Sequence, residues 1–188
     1  MFNANDVSQA AGIFLLCGVI PVWIVAGLAD YFCHRYSRIS ETSGTRESAL
    51  HLVQFCLIGL PIVSALFLQI NAGIFLLAAI CILLHHAVAY VDVAYANHTR
   101  KVTPVEQMVH SFLEILPIVA FLLAGILYWP QLLSLLGLGS QTAHFRPEPR
   151  VLPPTWIACV LGAAFFLNAL PYMEELLRCT RRRGGPHG

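Results

Sequence analysis

The chain has 188 residues, of which 57% are hydrophobic and 11% are charged, and its formal net charge is +1. Soluble globular proteins carry about 25% charged residues, so this composition, with a mean hydropathy of +0.70, excludes an ordinary soluble domain. The near-neutral charge points to no class of partner by itself, and we expect no nucleic-acid partner.

Apolar windows of about 20 residues predict membrane-spanning helices. Five such windows lie at 11–29, 51–69, 72–90, 111–129 and 151–170. They account for nearly every long apolar stretch and leave no room for a separate soluble domain. The sequence therefore predicts an all-α integral membrane helical bundle, with one domain at 1–180 and a short basic tail at 181–188.

The N-terminal residues lack a basic segment, so we expect no cleaved signal peptide and a first span that stays as an anchor. The six cysteines are scattered without a Cys-x-x-Cys pair. We therefore expect neither a disulfide framework nor a thiolate metal site.

The basic residues are unevenly distributed among the predicted connections. Nine of the eleven lie in segments 30–50 and 91–110 and in the C-terminal tail, whereas Arg146 and Arg150 lie on the other side. The positive-inside rule makes the basic side cytoplasmic. The sequence thus predicts a multi-pass protein of the bacterial inner membrane, with the N-terminus out and the C-terminus in.

The first two spans each carry an acid four residues before a histidine. Asp30 and His34 stand at the end of span one, and Glu47 and His51 stand where a second helix begins near Thr45. Residues four apart share a helix face. Both pairs are therefore expected at the cytoplasmic side of the membrane.

Span three follows a very short turn at Asn71, which predicts an antiparallel hairpin with span two. It carries His85 and His86 near its cytoplasmic end, and Asp92 lies two helical turns beyond His85. Adjacent helical residues point about 100° apart. One of the two histidines is expected to be a ligand and the other a donor outside the ligand set.

Span four begins with a Thr-Pro-x-Glu signal at Thr103, in which Glu106 can close a capping box. Glu106, His110 and Glu114 then recur every four residues on one helix face that runs into the membrane. After span five, either Glu174 or Glu175 approaches this site or both face lipid headgroups. The remaining histidines, His98, His144 and His187, are expected in loops or solvent.

The ionisable residues of the cytoplasmic side suggest a metal site. Charged groups at membrane depth cost a few kcal/mol each, and a bound cation can satisfy several together. Imidazole and carboxylate ligands suit iron, manganese or zinc, and ligands from four helices would form the bundle-core arrangement of di-metal carboxylate proteins. The candidate metal ligands are Asp30, His34, Glu47, His51, His85, His86, Asp92, Glu106, His110 and Glu114. Their ordinary alternatives are helix caps, headgroup contacts and acid–histidine pairs.

Two stretches carry a family resemblance. They are Glu41-Thr42-Ser43-Gly44 with Glu47, Ser48 and His51, and Thr103-Pro104-Val105-Glu106-Gln107 with His110 and Glu114. Over most of its length the chain resembles an uncharacterised family of small bacterial multi-pass membrane proteins, which implies no activity. More distantly, its histidine-rich face resembles that of the membrane di-iron hydroxylases and desaturases. Those proteins carry His-x-x-x-His and His-x-x-His-His boxes where this chain has acid-x-x-x-His pairs, so no catalytic residue is carried over.

The leading hypothesis is a membrane metalloprotein with a di-iron site, which oxidises a lipid-soluble substrate entering from the bilayer and needs an electron donor. The alternatives are a metal-ion transporter with ligands near the midplane, a zinc-dependent lipid hydrolase with Glu114 as base, and bis-histidine haem binding. A non-enzymatic membrane subunit, in which acids and histidines pair with one another, is a further alternative. Enzyme status, catalytic residues and a homo-oligomeric state stay open.

Overall fold

A computed structural model describes residues 4–144, 146–148 and 152–183. Over these residues the chain is helical, as its composition predicts. The α-helices are α1 (Ala4–Phe14), α2 (Ile20–Tyr36), α3 (Gly44–Phe67), α4 (Ala72–Thr99), α5 (Pro104–Leu127), α6 (Trp129–Leu135), α7 (Pro154–Ala164) and α8 (Leu170–Arg183). Residues Arg150, Val151 and His187, which figure in the sequence predictions, lie outside the described part of the chain.

Within the described residues, five helical stretches are long and apolar enough to cross a membrane, which confirms the predicted number. They are span 1 (Asn5–Tyr36), span 2 (Gly44–Phe67), span 3 (Ala72–Thr99), span 4 (Pro104–Leu127) and span 5 (Pro154–Arg182). The helices extend beyond the apolar windows, so the predicted connections 30–50 and 91–110 are largely helical. The reason is that the polar residues at these helix ends are buried against one another, and these contacts keep the segments helical.

Spans 1 and 5 each contain one π-helical turn. It covers Leu15–Val19 in span 1 and Phe165–Ala169 in span 5. Such turns are rare and often occur at functional sites. The turn in span 5 carries the buried Asn168, and a Cβ atom added at Gly27 of α2 would overlap its Oδ1 atom. Glycine at this position is therefore what lets the two spans approach so closely.

Spans 2 and 3 form the predicted hairpin. Asn71 caps α4 by accepting a hydrogen bond from the Gly73 amide at 2.8 Å, and its Nδ2 atom donates to the His144 carbonyl at 2.8 Å. The predicted loop 130–150 therefore begins with a short helix, α6, and then folds back onto the hairpin. Within the bundle, α3 packs against α4, its partner in the hairpin, and against α8. Helix α2 packs against α5 and α8.

The later halves of spans 1, 3 and 5 meet the beginnings of spans 2 and 4 at one end of the bundle. We call this end of the bundle the charged end, because the buried acids and histidines concentrate there.

A surface pair, Arg182 with Glu41, links α8 to the turn before α3. The hydrogen bond from Arg182 lowers the pKa of the Glu41 carboxyl.

Span 4 begins where the sequence predicts. The Glu106 amide donates to Thr103 Oγ1 at 3.2 Å, and the Thr103 amide donates to Glu106 Oε2 at 3.4 Å. This reciprocal pair satisfies two amides that have no partner within the helix. The cap therefore fixes the position at which Glu106 enters the charged end.

We expect Thr103→Ala to lower the free energy of unfolding by about 1 kcal/mol, the usual contribution of a side-chain cap. Equilibrium unfolding in detergent measures the loss. Thr103→Ser keeps the hydroxyl and serves as the control, so it should retain most of the stability. Equal stability of the alanine variant and the native chain would show that the cap contributes nothing here.

Candidate metal centre

The charged end buries acids and imidazoles from all five spans. Five acidic residues are at most 2% exposed, and three histidines among them are at most 7% exposed. These residues are Asp30, His34, Glu47, His51, Asp92, Glu106, His110 and Glu175. The structure thus brings together seven of the sequence-predicted ligands and adds Glu175, for which the sequence left the role open.

Glu175 holds two histidines with one carboxylate. Its Oε2 atom lies 3.2 Å from His34 Nδ1, and its Oε1 atom lies 3.1 Å from His51 Nδ1. The two rings stack with centroids 4.1 Å apart and planes inclined by 7°. Because a carboxylate only accepts hydrogen bonds, each Nδ1 carries the proton, and each Nε2 of a neutral ring presents a lone pair.

The first group of possible ligands forms between α2 and α5. His34 Nε2 lies 3.4 Å from Asp30 Oδ1, and His110 Nε2 lies 2.9 Å from the same oxygen. One donor atom from each of these three buried residues falls within 4.8 Å of the others. Glu106 Oε1 lies 3.5 Å from His34 Nε2, at the edge of this group.

The second group shares His34 and adds residues of α3, namely Glu47 and His51. His51 Nε2 lies 3.1 Å from Asp92 Oδ2 and 4.0 Å from Glu47 Oε1. Gln54 donates to the same Asp92 oxygen at 3.0 Å. The two groups therefore meet at the stacked pair of rings that Glu175 holds.

The pairing of acids and histidines differs from the sequence prediction at one place. Asp30 and His34 do contact each other, but the expected partner of Glu106, His110, contacts Asp30 instead. Glu106 contacts His34 and Arg100. Packing of α2 against α5 explains the exchange, since side chains across a helix interface come closer than neighbours along one helix.

Arg100 lies between two of the carboxylates. Its guanidinium donates from Nε to Glu47 Oε2 at 3.2 Å and from Nη1 to Glu106 Oε2 at 3.0 Å, and its Nη2 atom contacts both acids. Burial alone lowers the pKa of Arg100, but the hydrogen bonds to Glu106 and Glu47 raise it above its ordinary value. The sequence identified Arg100 only as a marker of the cytoplasmic side, because no local spacing connects it with Glu47.

The adjacent histidines of α4 lie in different surroundings. His85 is buried; its Nδ1 atom lies 3.4 Å from the Gln54 carbonyl, and its Nε2 atom has no hydrogen-bond partner among the described residues. His86 donates from Nδ1 to the Ile82 carbonyl of its own helix at 2.8 Å. Of the two, His85 lines the cavity at the charged end.

A cavity of about 30 Å³ lies beside these groups, and His85, Glu114 and Asn168 are among the residues that line it. Within the described chain, several buried polar atoms here have no hydrogen bond, and most buried polar atoms in proteins do. They include His85 Nε2 and Asp92 Oδ1. Asp30 Oδ1, His34 Nε2 and His51 Nε2 have only acid–histidine contacts, the closest of which are 2.9 to 3.4 Å, and a cation between these atoms would be bound by both partners.

Span 5 supplies two residues, Asn168 and Tyr172, for which the sequence predicts no role. Tyr172 donates to the Gly27 carbonyl at 3.1 Å, and its hydroxyl lies 3.3 Å from Asp30 Oδ2. Asn168, Tyr172 and Glu175 recur at intervals of three and four residues, and each is at most 5% exposed. This polar stripe on one face of a membrane helix is the signal that could have identified them.

The charged end therefore consists of buried His and carboxylate groups, which suit a divalent transition metal and leave its identity open. Within the described residues, two groups of three have donor atoms close enough to hold an ion. No protein-family model, curated protein or solved structure matches the chain.

Proposed function

We propose that the protein is a membrane metalloprotein with a di-metal centre at its charged end. The observation that carries the proposal is the position of Glu175, which engages the Nδ1 atoms of His34 and His51. Both Nε2 atoms are thereby turned towards other carboxylates, those of Asp30 and Asp92, and a metal would lie between them. Carboxylates that orient metal-binding histidines in this way are a regular feature of metal sites. Asp30, His34 and His110 would hold one ion. Glu47 and His51 of the second group would hold the other, with Asp92 as the neighbouring carboxylate, 3.1 Å from His51 Nε2.

Charge balance supports two ions. Five buried carboxylates face one guanidinium, that of Arg100, whose side chain is 3% exposed. With neutral histidines, four negative charges remain, and two divalent cations balance them. Four unbalanced negative charges buried together are strongly unfavourable without cations.

Protonated histidines balance the charge less well. His34 and His51 lie face to face at 4.1 Å, so protonating both would place two positive charges in contact, and like charges this close disfavour each other. Protonating His110 and one ring of the stacked pair would still leave two of the four negative charges unbalanced. The same argument disfavours a purely structural network of acid–histidine pairs.

Iron is the metal we favour, with zinc and manganese as the alternatives, because mixed imidazole and carboxylate ligands suit all three. Two irons would supply dioxygen activation. In the balanced reaction a C–H bond of a lipid-soluble substrate becomes C–OH, the second oxygen atom of dioxygen leaves as water, and an external electron donor provides two electrons with two protons. The chain's own part is to hold the ligands, exclude water and admit the substrate.

Transport of a metal ion fits less well. A second cavity of about 280 Å³ continues from Trp23 towards the opposite end of the bundle, and its lining is apolar apart from Tyr128 and Glu148. A hydrated cation would find few ligands along this path. The cavity favours a lipid-soluble molecule.

We also propose that the charged end faces the cytoplasm of a bacterial inner membrane. Arg35, Arg38 and Arg46 lie in or beside the connection between spans 1 and 2, and Arg178 and Arg182 lie at the end of span 5. The positive-inside rule places such residues on the cytoplasmic side. Cysteine labelling from each side of intact cells tests this orientation.

The proposal is tested by the metal content of protein purified in mild detergent. We expect about two iron atoms per chain, a marked loss in His51→Ala, and normal content in His86→Ala, which changes a histidine outside the cluster. About one zinc per chain would instead favour the hydrolase. Folded protein without stoichiometric metal would overturn the proposal.

A further inference from the structure

A polar and an apolar cavity meet at one residue of span 1. Trp23 lines both the 30 Å³ cavity of the charged end and the 280 Å³ cavity that extends away from it. The larger volume is close to the lower end of the roughly 300–1,000 Å³ range of small-ligand pockets. The small cavity is lined mostly by polar residues, the larger one is lined mostly by apolar residues, and Trp23 borders both.

The apolar cavity lies between the spans. Its lining comes mainly from spans 1 to 4 and includes Pro61 and Pro117, which stand inside α3 and α5. Around a bundle in a membrane the surrounding medium is lipid hydrocarbon. An elongated hydrocarbon chain is the occupant that matches both the lining and the medium.

The polar cavity has unpaired hydrogen-bonding atoms beside Trp23. Asn168 is 2% exposed, and neither its Nδ2 nor its Oδ1 atom has a partner among the described residues. The indole Nε1 atom of Trp23 also lacks a partner there. Buried polar groups left unpaired are costly, so donors and an acceptor together point to a ligand that both accepts and donates hydrogen bonds.

The charges of the neighbourhood select among possible head groups. Glu114 lines the same cavity and is not among the five acids that Arg100 and two cations would balance, so a carboxylate or phosphate head would meet like charge. A volume of about 30 Å³ admits only a small group. A hydroxyl group is small, uncharged, and both a donor and an acceptor.

We infer that these cavities bind a single-chain, long-chain alcohol, with its hydroxyl at Asn168 and Trp23 and its hydrocarbon chain in the apolar cavity. This inference deepens the proposed function, on which it rests, by naming the substrate class of the metal centre. The alcohol places the carbon atoms beside its hydroxyl next to His51, His85 and His110, which line the polar cavity. The polar cavity defines the hydroxyl group of this substrate class, and the apolar cavity defines its hydrocarbon chain.

The test uses bromine quenching of Trp23 fluorescence. Trp129 and Trp156 are replaced by phenylalanine, so that Trp23 is the remaining tryptophan of the sequence. Three probes of equal chain length are titrated in detergent: a brominated long-chain alcohol, the matching alkane and the matching carboxylate. We expect saturable quenching by the alcohol, with about tenfold weaker binding of the other two, since each loses a hydrogen bond or meets like charge.

Two variants assign the binding to the cavities. Asn168→Leu should remove the preference for the alcohol over the alkane. Ala78→Phe, which fills the apolar cavity, should abolish saturable quenching, whereas Leu76→Phe on the exposed face of the same helix should not. The three-probe comparison on the Trp23-only protein needs no cavity variant and decides the inference if these variants misfold.

The metal content of the same preparation is also measured. This separates failure of the inferred ligand from failure of the di-metal proposal. Two metal ions per chain with equal, non-saturable quenching by all probes would overturn the inference and leave the metal centre standing. Saturable alcohol binding without metal would support the inferred ligand and overturn the di-metal proposal. Tighter binding of the carboxylate than of the alcohol would overturn the assignment of the head group.

Discussion

Glu175→Gln should lower the affinity of the charged end for divalent metal by about 10–100-fold, the usual effect of removing a group that orients a metal ligand. The native carboxylate accepts hydrogen bonds from His34 Nδ1 and His51 Nδ1 at once. A glutamine oxygen can accept one, but its NH₂ group faces the other ring with a donor against a donor. One imidazole then loses its orientation, and its Nε2 atom no longer points at the carboxylates.

The neighbouring acid offers a matched control. Glu174 is exposed and contacts Tyr31 at 2.9 Å and Arg35 at 3.2 Å at the surface. Glu174→Gln should therefore leave metal affinity unchanged. Competition against a coloured chelator measures both variants, and circular dichroism confirms that both are folded. Equal affinity of the two variants would refute the role given to Glu175.

Arg100→Gln should destabilise the metal-free protein by about 3–5 kcal/mol, the cost of removing one partner from a buried ion pair. Glu47 and Glu106 are both 0% exposed, so without the guanidinium two buried carboxylates lie close together without a counter-charge. Equilibrium unfolding in detergent, after treatment with a chelator, measures the loss. Added divalent metal should restore part of it, because a cation can take over the balancing charge.

Lys101 provides the comparison, since it is the adjacent basic residue and is exposed. Lys101→Gln should change stability little, as surface charges contribute about 0–1 kcal/mol. Arg100→Lys should fall between the two, because an ammonium group cannot present a planar fork to both acids. A melting temperature for Arg100→Gln equal to that of Lys101→Gln would show that the pairing has no energetic weight.

The spans could be predicted because hydrocarbon imposes a length of about 20 apolar residues on a crossing helix. Their ends could not, because Asp30 and His34 look like loop residues by hydropathy yet are 2% and 0% exposed inside the bundle. What keeps them helical is the set of partners on other spans. Hydropathy contains no information on such partners.

The site divides in the same way. Spacing within one helix identified Glu47 with His51, and the capping signal identified the position of Glu106. Glu175 and Arg100 depend on which helices are neighbours, and one sequence does not specify this order. The choice of His85 over His86 likewise required the rotation of α4 about its axis, which an apolar helix with no distinct polar face does not reveal.

The π turn at Phe165–Ala169 has a consequence for how the gene can vary. A π turn holds about one residue more than an α turn, so it absorbs an extra residue while the helix beyond it keeps its orientation. Loss of a single codon there would restore a continuous α-helix and keep Tyr172 and Glu175 directed at Asp30, His34 and His51. The charged end can therefore tolerate one in-frame deletion at this turn, whereas a deletion within a regular α-helical part of the span would turn the residues beyond it by about 100°.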